Sequence, residues 1–269
     1  MIAWFTNWIK RSPLVAYFVL VFGIEWLLVL LLSSLVSPLI ALLIGSWLPN
    51  LVGVFVTGVA GGREGLRGLL GKVVLWRIGL KWYVIALLLP TALAFLTVGL
   101  CTFFGNDAAG FASASQLPQI FLMCVITGAL GEELGWRGTA LPRLQARWNP
   151  LISSLILGVL WGIYHLPAFF LSGLPLVEAP LIPFMLACIG LTIIVSWTFN
   201  RTGGSLIPVF LYHFAFNFTG NATGVFNNPT QFSLLGVIIL AVAVAIAALD
   251  WNRFTRPASA PAEGVWMIR

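Results

Sequence analysis

An all-α, polytopic membrane protein of about eight transmembrane helices is what this sequence predicts, on three observations. Of its 269 residues 60% are apolar and only 8% charged, with a mean hydropathy of +1.01, and a water-soluble domain of that size cannot bury so much apolar side chain. The apolar residues come in continuous runs of roughly 20, the length of helix that spans a bilayer, rather than in the alternation of barrel strands. The basic residues fall on one side of those runs, as lysine and arginine do on the cytoplasmic face of a membrane.

The runs lie near 14–35, 38–60, 82–104, 117–136, 151–171, 181–200, 205–224 and 231–249. Lys10 and Arg11 precede the first, which is too long for a signal peptide and has no clear small-residue cleavage site, so it reads as an uncleaved span. After the second run, Gly61 to Lys81 is basic with interleaved Leu, Val and Trp, which suits a helix lying on the cytoplasmic face. The fourth run ends in GEELGWRG, residues 131–138, and is followed by a second interfacial piece from Leu141 to Trp148. Residues 1–250 form a single transmembrane domain, whose motif-bearing core is about 117–224. Residues 251–269, with Pro257 and Pro261, read as a short disordered cytoplasmic tail.

With eight spans and both termini cytoplasmic, all 14 Lys and Arg residues fall on the cytoplasmic side. The opposite loops hold none, and two of them carry an acid, Asp107 and Glu178. One span more or fewer would destroy that segregation. The net charge of +6 therefore reflects orientation and contact with anionic lipid, and is no evidence for a nucleic-acid partner. The expected location is the plasma membrane. Cys101, Cys124 and Cys188 sit in different spans without CxxC spacing, so they read as packing residues.

Polar side chains inside spans are costly and so carry most of the information. The two histidines of the chain, His165 and His213, both fall in spans, each with a partner one helical turn away: Trp161 in WGIYH and Asn217 in HFAFN. In GEELGWRG, Glu133 and Arg137 are also four apart and can pair along the helix, whereas Glu132 is rotated by about 100° from Glu133. Taken singly, each has a bland reading as a helix contact or a helix-end anchor. Taken together, Glu132, Glu133, Arg137, His165, His213 and Asn217 amount to a hydrolytic site, with a desolvated carboxylate and a histidine to activate water and a second histidine with an amide for an oxyanion. Glu25, alone in the first span, keeps the bland reading or a minor supporting role. Gly131-x3-Gly135 and Gly158-x3-Gly162 fit close approach of the fourth and fifth helices.

GEELGWRG, WGIYH and HFAFN, in that order on separate spans, resemble the motifs of the CPBP family of intramembrane metalloproteases, the CAAX protease and bacteriocin-processing (Abi) family that includes the prenyl-protein endopeptidase Rce. The resemblance covers about Gly128 to Asn217. Its pattern is EExxxR, then an aromatic ahead of a His, then a His with an Asn four residues on; Trp161 stands where the pattern often has Phe. The resemblance implies that Glu132 with His165 activates the attacking water, that Glu133 pairs with Arg137 and holds the helix end, and that His213 with Asn217 forms the oxyanion hole.

Two His and one Glu, namely Glu132, His165 and His213, are a conceivable zinc set. Yet the HExxH helix is absent, and the oxyanion reading uses every group without a metal, so no obligatory cofactor is expected. The expected activity is hydrolysis of a peptide bond in a membrane-associated substrate, prenylated or bacteriocin-like, at a site facing the cytoplasm. Two other classes remain open at this point: a proton- or ion-coupled transporter, and a non-catalytic immunity or binding protein of the same fold. By helix rise, His165 would lie roughly 20 Å from the cytoplasmic face if its span starts at Leu151, deeper than its proposed partners, unless the helices are tilted or broken, for which Pro167 is a candidate cause.

Overall fold

A computed structural model describes residues 2–32, 35–106, 110–171, 176 and 178–256. Asp107, from the expected outer loops, and residues 257–269 of the expected tail lie outside these. Within them the structure is helical, with no strand among the described residues. The chain opens with α1 (Ile2–Arg11) and α2 (Pro13–Leu32), then a short α3 (Pro38–Gly45) and α4 (Leu48–Gly71). After α5 (Leu80–Phe103), the motif-bearing stretch runs as α6 (Leu117–Cys124), α7 (Leu130–Glu133) and α8 (Leu141–Gln145), joined by two π-helical segments, Val125–Ala129 and Leu134–Ala140. Then follow α9 (Pro150–Tyr164), α10 (Leu181–Arg201), α11 (Ile207–Ala222), α12 (Pro229–Leu249) and α13 (Trp251–Thr255).

Among the described residues, six stretches are long and apolar enough to cross a membrane: Pro13–Leu31, Leu43–Gly71, Leu80–Phe103, Leu117–Gln145, Leu181–Arg201 and Pro229–Leu249. The fifth and seventh expected spans are present as helices but are short, α9 with 15 residues and α11 with 16. The cause at α9 is local. Asn149 caps its start through a bond from the Ile152 amide, and Pro167 cannot continue the ladder, so the helix stops at Tyr164 and a 3-10 turn, Leu166–Phe169, follows. The helix that was expected to run to 171 is thus broken next to His165.

Gly62, whose φ of 57° favours glycine, breaks α4 into two helical pieces, so the second span ends close to where it was expected and a separate helical piece carries the start of the basic segment. Two further expectations are corrected. The piece expected at Leu141–Trp148 is continuous with the fourth span as α8. The start of the expected tail, α13, is ordered and packs on α9, with Phe254 buried.

α10 packs between α9 and α12, α11 lies along α5 and the first π-helical segment, and α4 backs α7 and the second. The buried core runs through these contacts, with Tyr17, Trp136, Leu157, Ile194 and Tyr212 among its largest members. The paired glycines act differently from expectation. A Cβ on Gly131 would meet the Ser46 carbonyl at 2.5 Å, and one on Gly135 would meet the Tyr17 hydroxyl at 2.6 Å. A Cβ on Gly158 would meet Ile189 at 2.8 Å, and Gly162 faces Met185. The fourth-span pair therefore seats that helix on the start of α4, and the fifth-span pair seats α9 on α10; they do not face each other. Cys101, Cys124 and Cys188 are buried and free.

Candidate active site

The two π-helical segments flank Glu132 and Glu133, and this sets the aim of both carboxylates. A π turn shifts the hydrogen-bond ladder by one residue and disturbs the backbone pairing beside it, a feature often found at functional sites. Asn50, from α4, bridges this stretch: its Nδ2 donates to the Leu130 carbonyl at 2.5 Å and its Oδ1 accepts from the Gly135 amide at 2.8 Å. Buried backbone polar groups need such partners.

The adjacent acids then have separate surroundings, as their helical rotation requires. Oε2 of Glu132 accepts two indole N–H bonds, from Trp136 at 3.1 Å and Trp161 at 2.8 Å. Glu133 Oε1 accepts from Arg137 Nη1 at 3.0 Å and from His213 Nδ1 at 2.6 Å. Arg137, with no exposed surface, also donates from Nη2 to Thr192 Oγ1 at 3.1 Å, and its guanidinium lies 4.7 Å from the Trp161 ring centroid. The Glu133–Arg137 pair expected along the helix is present, and it does more than hold a helix end, because Glu133 also grips α11 through His213.

His165 is the residue at which α9 ends. Its Nδ1 lies 2.8 Å from the Trp161 carbonyl. A carbonyl only accepts, so Nδ1 carries the proton and Nε2 of the neutral ring is an acceptor. Glu132 and His165 border one cavity of about 30 Å³, lined also by Glu25, Val29, Ser46, Tyr164, Pro167 and Ala168. That is room for roughly one or two waters.

His213 and Asn217 form a second pole. Their Nε2 and Nδ2 atoms converge on Gly128, where an added Cβ would lie 2.5 Å from each. The Trp161 ring stands between the poles, 5.7 Å from His165 and 5.5 Å from His213. Five of the six expected residues are thus connected through Trp161 and Glu133, and Asn217 joins His213 beside Gly128, although His213 and Asn217 do not line the water-sized cavity.

Among the described residues, no three His, Cys, Asp or Glu side chains gather closely enough to hold a metal ion. Within the conceivable zinc set, Glu132 Oε2 is taken by two indoles and His213 Nδ1 is turned to Glu133. Asn50, Thr192, Trp136 and the Trp161 N–H were not singled out from the sequence. The only signal for the first two was a polar residue inside a predicted span, and for the indoles their four-residue spacing to Glu132 or His165.

Residues 114–219, which contain every one of these six residues, match the family pattern of type II CAAX prenyl endopeptidases, Rce1-like. Over this region the chain is similar to the type II CAAX prenyl endopeptidases. It is also similar to the CAAX prenyl protease 2 of Methanococcus maripaludis, 29% identical over 190 residues, 66% of this chain and 69% of that one. These likenesses support a peptidase, and the apolar helices indicate a multi-pass membrane protein. The matched region begins just before α6 and ends within α11, so α1 to α5 and α12 supply the frame around the motif-bearing helices.

Proposed function

We propose that the protein is an intramembrane endopeptidase that cuts a membrane-associated peptide, of the prenylated CAAX kind, with a water activated by Glu132 and His165. The observation that carries this reading is the water-sized cavity bordered by both side chains, with the His165 tautomer set by the Trp161 carbonyl. Glu132 takes a proton from the water as the oxygen attacks the scissile carbonyl carbon. His165, through the acceptor Nε2, passes that proton on to the amide nitrogen as the C–N bond breaks, leaving a carboxylic acid and an amine. The two indole bonds hold Glu132 in one orientation.

His213 and Asn217 stabilise the oxyanion. With Nδ1–H given to Glu133, Nε2 of His213 donates when both ring nitrogens carry a hydrogen, and the Glu133 carboxylate fixes the orientation of the ring as the aspartate of a hydrolase triad does. Glu133 is thus the group that orients the donor. Arg137, fixed by Thr192, fixes Glu133 in turn. No step calls on a metal.

Eight passes with both termini in the cytoplasm are supported by the one-sided placement of the basic residues. On that reading α9 and α11, at about 22–24 Å, are too short for the full apolar thickness. Glu132 and Glu133 lie toward the cytoplasmic end of the fourth span on that reading, and the site faces the cytoplasm, in the plasma membrane. The likeness to CAAX prenyl endopeptidases weighs against the transport and binding-only readings.

The test is cleavage of a farnesylated peptide ending in Cys-aliphatic-aliphatic-X, in liposomes, by wild type and by Glu132→Gln. Cleavage by wild type with a loss on the order of a hundredfold or more in the variant is expected for removal of a general base. Equal cleavage by the two proteins would remove Glu132 from the mechanism.

A further inference from the structure

The cavity between Glu132 and His165 has a third carboxyl in its wall, that of Glu25. Glu25 is the one charged residue of α2, a helix otherwise built for lipid and packing. It is only 3% exposed, and its Oε2 has no hydrogen-bond partner among the described residues. A carboxyl buried at span depth with an unused oxygen is costly and marks function more often than packing. Its surroundings are arranged to admit it. Gly45 lies so close that a Cβ there would meet both carboxyl oxygens at 2.5 Å, and the neighbouring Tyr164 hydroxyl donates to the Gly45 carbonyl at 2.9 Å. The groups facing Glu25 are Glu132 from α7, Tyr164 and His165 from the end of α9, and Ser46 from the α3–α4 turn.

A water about to attack has two hydrogens and must aim a lone pair. One hydrogen leaves to Glu132. If the other has no acceptor, the water rotates. We infer that Glu25 is a positioning residue of the peptidase: its unpartnered Oε2 accepts the second hydrogen of the water that Glu132 activates. That hydrogen stays on oxygen throughout, so Glu25 neither gains nor loses a proton, and its oxygen accepts whether the carboxyl is ionised or protonated on the other atom. This rests on the proposed hydrolytic reading of the same cavity, and the controls separate the two.

The test compares wild type, Glu132→Gln, Glu25→Leu and Glu25→Gln on the same farnesylated peptide in liposomes, with the thermal midpoint of each measured in detergent. Glu25→Leu removes the acceptor, whereas Glu25→Gln keeps a carbonyl oxygen. A loss of kcat of tenfold to a hundredfold, on the order expected for a misplaced reactant, is expected in Glu25→Leu, with KM unchanged. Glu25→Gln retains more of the kcat. The thermal midpoint of Glu25→Leu stays level or rises, because a buried unpaired oxygen has gone. An unchanged kcat in Glu25→Leu with a dead Glu132→Gln overturns the inference alone. So does a fall in midpoint with equal losses in both Glu25 variants, the mark of a structural carboxyl. No cleavage by wild type, or full cleavage by Glu132→Gln, overturns the hydrolytic reading beneath it.

Discussion

Arg137 has no contact with solvent, and its charge is balanced by a carboxylate that is equally buried. Breaking such a pair from one side leaves an uncompensated charge, so Arg137→Met is expected to cost about 3–5 kcal/mol of stability, read as an earlier midpoint in a denaturant titration of the protein in micelles. Loss of the exposed Arg253–Asp250 contact, in Arg253→Ala, is expected to move the same midpoint by less than about 1 kcal/mol. Gly128 has a different constraint. Its missing side chain is the space into which His213 Nε2 and Asn217 Nδ2 converge. Gly128→Ala should therefore displace both donors and reduce kcat on the order of a hundredfold, as loss of an oxyanion donor does, with the fold preserved in circular dichroism.

The element that shapes the site is the fourth span, broken into three α-helical pieces by two π segments. A regular α-helix through 117–145 would carry the same residues with different aim. Asn50 stabilises the irregular form by bonding a carbonyl on one side of the acids and an amide on the other. Asn50→Leu leaves both backbone groups without that partner, at about 1–3 kcal/mol each. The expected outcome is a lower thermal midpoint together with a drop in cleavage, since the acids lose their frame. A drop in midpoint with wild-type kcat at low temperature would show instead that the π turns hold themselves.

For the molecule as a whole, Lys72 at the end of α4 ties that helix to the site-bearing span and to α11. Its Nζ donates to the Gly138 carbonyl at 2.9 Å, and its own carbonyl accepts from the Leu206 amide at 3.0 Å. Burial, with a smaller push from Arg143, lowers its pKa from 10.5 to about 7. Between those two values the unfolded chain holds a proton that the folded chain does not. Stability therefore rises with pH across roughly 7 to 10.5 and is flat below, where both states are protonated. The thermal midpoint in detergent is expected to climb over that window for wild type, and Lys72→Met should remove Lys72's share of the climb.

The sequence by itself determined the helical class, the membrane setting, the six candidate residues and the Glu133–Arg137 pairing. Hydropathy over 20 residues and a spacing of four are local properties of a chain, and both survive folding. Tertiary structure decided what the sequence left to contacts between helices. The Glu133–His213 bond joins residues 80 positions apart. Asn50 and Thr192 act on the motif from α4 and α10. The glycines seat their helices on partners other than each other, because a small residue announces close approach without naming the neighbour. Glu25 became part of the site only when α2 was laid against the end of α9, around a cavity that exists between elements and in none of them.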